Sequence, residues 1–228
     1  MKIVVAVRCY NEEHHIDRFM QGYSFADHIV VSDGGSTDDS VSILKGYQSD
    51  KLTLLHYTHK ETVQGETWNE DAGHMNFVLD AAKELEPNWL IFDDMDCVPN
   101  RFLRDNARSI LEKADSPQVN AFRLYLWGDT GKYFPKMNDN FNLLYTSLWA
   151  WNPEKVNIRA DVNLRHGTLF GLHPEPYRLR PPAVLLHKSW YPNTIRAKVR
   201  RYNKLGLPMQ HPFEFAGELA DLPEYAVE

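Results

Sequence analysis

Asp93, Asp94 and Asp96 stand within four positions of one another, directly after the apolar run Trp89-Leu90-Ile91-Phe92. Three carboxylates packed so closely repel one another unless something positive sits on them, and a divalent metal is the simplest such partner. In an extended chain Asp94 and Asp96, one residue apart, point the same way and can face one ligand together, while Asp93 points oppositely. A bare Asp-x-Asp also fits a solvated acidic turn before a helix capped by Asn100, so its surroundings must decide. Two further polar loops follow apolar runs: Arg8-Cys9-Tyr10-Asn11-Glu12-Glu13, and Ser32-Asp33-Gly34-Gly35-Ser36-Thr37-Asp38. The paired glycines suit a tight turn. Without a Gly-x-Gly-x-x-Gly pattern or a Walker lysine, they argue against a dinucleotide or ATP site.

The elements that must position these loops are legible as alternating strands and helices. Lys2 to Val7, His28 to Val31, Leu52 to Tyr57 and the run from Trp89 are short, apolar and rich in β-branched residues, as strands buried on both faces are. Between them, Ile16, Phe19 and Met20 give one helical stripe, with Asn11 able to cap that helix. Thr67-Trp68-Asn69-Glu70 has the form of a capping box and opens a helix to about Leu85, with Met75, Val78, Leu79 and Ala82 on one side. Strands alternating with helices predict an α/β fold with a mostly parallel central sheet. The strand ends carrying Asn11, Asp33 and Asp94/Asp96 then open on one edge, where ligands bind in such sheets. Beyond Asn100 the spacing predicts a helix over Phe102 to Lys113 and a strand over Val119 to Trp127. Residues 128–180, rich in aromatics, Asn, Gly and Pro, suit irregular loops and short antiparallel strands.

The chain has 228 residues, 25% charged and 43% hydrophobic, with a net charge of -6. This suits one α/β domain with a real core, expected to divide into a regular strand-helix half (1–100) and a more irregular half (101–228) with a C-terminal helix. The negative balance disfavours a surface that simply coats nucleic acid. Cys9 and Cys97 are expected as free thiols in a reducing compartment. The chain opens directly on a strand and holds no apolar run of roughly eighteen residues, so neither a leader nor a transmembrane segment is expected, and the reading is cytoplasmic.

Val5 to Glu13, Val30 to Asp38 and Phe92-Asp93-Asp94-Met95-Asp96, in this order and spacing, resemble the family-2 glycosyltransferases of the GT-A fold. Trp68 to Asn76 followed by Trp89 is similar to the small bacterial members that act on lipopolysaccharide core sugars. The resemblance implies a metal-dependent, inverting transfer of a sugar from a nucleotide diphosphate, UDP in the usual case, to an acceptor hydroxyl on a glycan or lipopolysaccharide-like molecule. It places the nucleotide against Tyr10, Asn11 and Glu12, the base on Asp33, and Asn76 at the donor; a carboxylate can indeed accept the ring N–H of uracil. It gives Asp94 the ribose or the metal, and Asp96 with the late His187 the metal, Mn²⁺ or Mg²⁺. Oxygen ligands with an imidazole suit Mn²⁺. Relatives usually carry a lysine where this chain has Met75, so His74 or a late arginine of the expected helix Arg196 to Tyr202 must neutralise phosphate, or the donor differs.

An inverting transfer needs a carboxylate base. Leu169 to Glu175 resembles a stretch ending in His-Glu in the small relatives, although here Pro174 separates His173 from Glu175. Glu175 is therefore the first candidate, with Asp161 next and Glu154 and Asp139 behind. Trp149, Trp151, Tyr145 and Tyr177 suit either a core or a stacking surface for the acceptor. Two other readings stay open: an acceptor that is a hydroxylated base in DNA, and a non-catalytic module that binds nucleotide sugars.

Overall fold

The computed structural model describes residues 1–47, 49–58, 67–135, 147–162, 169–190, 196 and 218–228. The chain runs β1 (Ile3–Cys9), α1 (Ile16–Gly22), β2 (His28–Asp33), α2 (Ser40–Gly46), β3 (Leu52–His56), α3 (Thr67–Lys83), β4 (Trp89–Asp94), β5 (Cys97–Pro99), α4 (Arg101–Lys113) and β6 (Gln118–Trp127). Shorter strands follow: β7 (Lys132–Tyr133), β8 (Ser147–Trp151), β9 (Arg159–Ala160), β10 (Leu169–Phe170), β11 (Tyr177–Arg178), β12 (Val184–Trp190) and β13 (Ala220–Asp221).

The main sheet has the order β3-β2-β1-β4-β8-β6-β7-β13. β3, β2, β1 and β4 are mutually parallel, as right-handed strand-helix-strand crossovers require. β8 is antiparallel to both β4 and β6, so β6 runs in the same direction as β4. β12 lies parallel to β6 and antiparallel to β5. The fold is thus mixed α/β, with a mostly parallel central sheet between helices.

The unbroken apolar run of β1 follows from its two covered faces. Val5 and Val7 join Val31, α1's Phe19 and α4's Leu103 on one side. Val4 and Ala6 join Val30 and α3's Val78 and Leu79 on the other. Each such side chain removed from water contributes about 1.5–3 kcal/mol. Asn100 caps α4 as its sequence suggests, its side-chain carbonyl accepting the Leu103 amide at 3.0 Å.

Several expectations are corrected. Asn11 does not cap α1, which starts at Ile16; it has φ 57°, and its side chain instead accepts the Thr37 amide at 2.7 Å. Asp96 lies in the turn between β4 and β5, so it is not part of an extended Asp-x-Asp. Trp149 and Trp151, fully buried, belong to the core and cannot stack on an acceptor. Tyr145 and Asp139 lie outside the described residues, as does the expected late helix apart from Arg196. Among the described residues, no helix is long and apolar enough to cross a membrane.

Candidate active site

Parallel register brings the polar ends of four strands to one edge. Arg8 of β1 stands opposite Ser32 of β2 and Asp94 of β4, and Cys9 opposite Asp33, itself opposite His56 of β3. β6 and β12, running the same way, deliver Arg123 and His187 to that edge. Around this point the three acids divide their work.

Asp93 points into the core, as alternation demands. Its carboxylate accepts the Tyr23 hydroxyl at 2.6 Å and pairs with Arg123 at 2.6 Å, while its other contact is the amide of Asp94 at 3.0 Å. Burial pushes the Asp93 carboxyl up, with Arg123 pulling the other way. Burial and the neighbouring Asp93 likewise raise the Tyr23 hydroxyl, which keeps its proton and donates. Asp94 lies between two guanidinium groups, Arg8 at 3.7 Å and Arg123 at 3.6 Å, with 45% of its side chain exposed.

Asp96 meets His187, whose Nε2 is 3.2 Å from its carboxylate. Register explains the meeting, since His187 pairs with Cys97 on one side and Tyr125 on the other. The Tyr125 ring packs edge-on against the imidazole, with centroids 5.0 Å apart. One ligand atom from each of Asp94, Asp96 and His187 lies within 4.8 Å of the others. Two carboxylate oxygens and an imidazole nitrogen in that space fit a hard or borderline divalent cation such as Mg²⁺ or Mn²⁺.

The nucleotide-side residues named from sequence are held together by a zipper of side chain to backbone bonds. Asp33 accepts Gly35 N at 2.9 Å, Ser36 N at 3.2 Å and Ser36 Oγ at 2.5 Å. Gly35 has φ 88°, a conformation that favours glycine. Ser36 and Ser40 hydroxyls accept the amides of Asn11 and Glu12. The two loops, 10–13 and 33–40, thus form one rim, with Tyr10 exposed on it. Asp33 is 4% exposed, and three loop donors make four hydrogen bonds to its two carboxylate oxygens. His56 stands 3.7 Å away.

His74, a candidate for phosphate, is buried against Ser32, 2.9 Å from its hydroxyl, and stacks on Tyr57 with centroids 4.6 Å apart. Met75 is buried in the core cluster that holds Val78. Asn76 makes a paired amide contact with the backbone of Ala160, both bonds 2.9 Å.

The base candidates fall at different places. α3 descends from the crevice, where His74 meets Ser32, to the opposite edge, where Asn88 bonds Lys2 O. The segment of β9 climbs back beside it: Asn157 contacts Lys83, Arg159 pairs with Asp80, and Ala160 meets Asn76. Asp161 is the next residue along this ascent, towards the crevice. Glu175 lies elsewhere. Its carbonyl accepts Ser116 Oγ at 2.8 Å, and His173 N donates to Gln118 at 2.7 Å, so both sit at the start of β6. Gln118 shares a level with Trp151 and Leu90, at the beginning of β4. β6 begins at Gln118, and the five residue steps from there to Arg123, at about 3.3 Å each, put Glu175 roughly 16 Å along the strand from Arg123 and the acidic cluster. Glu154 is at the same far end, beside Asn152, which bonds Pro117 O.

Sequence reasoning missed Arg8, Arg123 and Tyr23. The available signal was an arginine at the end of one apolar strand and another in the middle of Ala121-Phe122-Arg123-Leu124-Tyr125-Leu126. Buried guanidinium groups of this sort need acidic partners. Both free thiols are buried, and burial raises Cys9 to about 12.

No family model and no curated protein matches the chain. Solved structures do. S. aureus TarS 1–349 is 17% identical with a TM-score of 0.57, over 94% of this chain and 68% of that one. The same fragment in complex with UDP is 18% identical, TM-score 0.50, over 80% and 62%. A longer TarS structure is 19% identical, TM-score 0.51, over 82% of this chain and 37% of that one. At these identities the likeness is one of fold, and the chain shares the α/β fold of TarS.

Proposed function

We propose that the chain is a metal-dependent, inverting glycosyltransferase of family 2 and the GT-A fold, taking a sugar from a UDP-linked donor. The observation that carries this reading is the convergence of Asp94, Asp96 and His187 at the carboxyl edge of the parallel sheet. It is supported by the structural likeness to TarS, one of whose structures contains UDP.

The rim of Tyr10, Asn11 and Glu12 with the Asp33 loop takes the nucleotide, with Asp33 at the base. Asp96 and His187, with Asp94, hold Mn²⁺ or Mg²⁺, which when bound supplies positive charge for the donor diphosphate. Arg8 and Arg123 orient Asp94 between them. Asp161 takes the proton of the acceptor hydroxyl as its oxygen bonds to the anomeric carbon and the bond from that carbon to the phosphate oxygen breaks, releasing UDP. The acceptor is a hydroxyl on a glycan or lipopolysaccharide-like molecule.

Thermal shifts with UDP and UDP-sugars, with and without Mn²⁺, test the donor site, because a ligand that binds only the folded chain raises its melting temperature. The expected result is a shift that needs both UDP and Mn²⁺. No shift with any nucleotide would refute the reading. Release of UDP on adding acceptor separates an enzyme from a binding module.

A further inference from the structure

Arg18 touches neither the nucleotide rim nor any of the three acidic side chains, yet it reaches the backbone of both metal-holding segments. It lies in α1 with its side chain only 12% exposed. Nη1 donates to the carbonyl of Asp96 at 3.1 Å and Nη2 to the carbonyl of Leu186 at 3.0 Å. Nε donates to the Glu228 carboxylate at 2.9 Å. The Asp96 carbonyl also accepts the amide of Lys188 at 2.8 Å, and Lys188 Nζ is 3.1 Å from Glu228 and 2.7 Å from Asp129. One planar fork therefore joins the residue that carries the Asp96 carboxylate to the residue before His187, while the residue after His187 closes the ring from the other side.

We propose that Arg18 is a positioning residue that sets the spacing of Asp96 and His187, with Glu228 aiming its guanidinium. The proposal rests on the reading of Asp94, Asp96 and His187 as a metal site. The geometry demands a rigid bidentate donor: one carbonyl belongs to the turn before β5 and the other to β12, and a guanidinium bonds both in one plane where an ammonium reaches one. Asp96 sits in the turn before β5, and the Arg18 fork adds to the Lys188 amide in holding its carbonyl. Groups behind ligands in this way commonly alter metal affinity by 10–100-fold when removed.

The test measures free Mn²⁺ by electron paramagnetic resonance during titration of the full chain with Mn²⁺ in saturating UDP, alongside UDP binding in chelator and the melting temperature. Arg18→Met is expected to raise the Mn²⁺ concentration for half-saturation at least tenfold while UDP binding in chelator stays unchanged. Arg18→Lys, which keeps the charge and one bond, is expected to give a loss of about three- to tenfold and carries the test if Arg18→Met does not fold. A lower melting temperature with Mn²⁺ half-saturation within twofold of wild type in either variant makes Arg18 a plain structural staple and overturns the proposal alone. Wild-type protein that binds no Mn²⁺ in the presence of UDP overturns the metal reading, and the proposal with it.

Discussion

Asp161→Asn tests the assignment of the base most directly. The substitution keeps shape and hydrogen-bonding size and removes only the ability to accept a full proton. Loss of a general base typically lowers turnover by about 10²–10⁴-fold, which is about 3 to 5 kcal/mol on the barrier. The same exchange at Glu175 serves as the control, because a base must stand about 2.6–3.2 Å from the proton that it removes. Glu175 is fixed at the start of β6 through Ser116, roughly 16 Å of strand from Arg123 beside the acidic cluster, a gap that a glutamate side chain of a few ångströms does not close. The assay is single-turnover transfer from UDP-sugar, read beside Mn²⁺-dependent donor binding in both variants. Expected are a collapse of transfer with intact donor binding in Asp161→Asn, and near wild-type transfer in Glu175→Gln. Transfer above a tenth of wild type in Asp161→Asn, or a collapse in Glu175→Gln, would refute the reasoning from the path of β9.

Asp96→Ala should remove the Mn²⁺ dependence of UDP binding while leaving the melting temperature near that of wild type; calorimetric titration with and without Mn²⁺ checks it. Asn76→Ala strips both bonds from the backbone of Ala160, a loss of about 1–3 kcal/mol of stability, and should slow transfer through displaced Asp161 without altering Mn²⁺-dependent UDP affinity, measurable by urea unfolding and kinetics together. Burial raises the Asp27 carboxyl, but the Ile3 amide and Arg108 more than offset it and leave it below the ordinary value. Its contribution to stability is therefore present above the unfolded value of about 3.9 and is lost as pH falls through the lower folded value. Melting temperatures from about pH 5 to about pH 2 should fall less steeply for Asp27→Asn than for wild type, and parallel curves would remove Asp27 from the account.

The strands that build the crevice were legible because burial on both faces leaves a plain record, an unbroken apolar run ended by polar residues. β1, β2 and β4 match their runs, each continuing two residues into its polar loop, with β1 starting one residue later, at Ile3. The α4 cap was legible because Asn100 acts locally. What was hidden depends on contacts distant in sequence. Asn11 has the composition of a helix cap, but bonds between loops 10–13 and 33–40 give it a left-handed backbone instead. β8 was unreadable as a central strand because its tryptophans also suit a sugar-binding surface, and only pairing to both β4 and β6 shows them to be core. The motif ending in Glu175 matched locally, yet the parallel pairing of β11 with the start of β6 carries it to the far edge.

The acidic cluster itself shows how a sound inference from charge can have an incomplete premise. Asp93, Asp94 and Asp96 were read as self-repelling and thus in need of a cation. The chain supplies two, Arg8 and Arg123, and a hydroxyl from Tyr23, so Asp93 and Asp94 are compensated before any ion arrives. Relief of repulsion is then a weak reason for metal binding. The stronger reason is geometric: Asp96 faces an imidazole at 3.2 Å and has its own backbone fixed by Arg18. A cation entering here gains most from Asp96 and His187, whereas it must share Asp94 with two guanidinium groups. In the proposed reading Asp94 then links the arginines to the donor, and Asp96 anchors the metal.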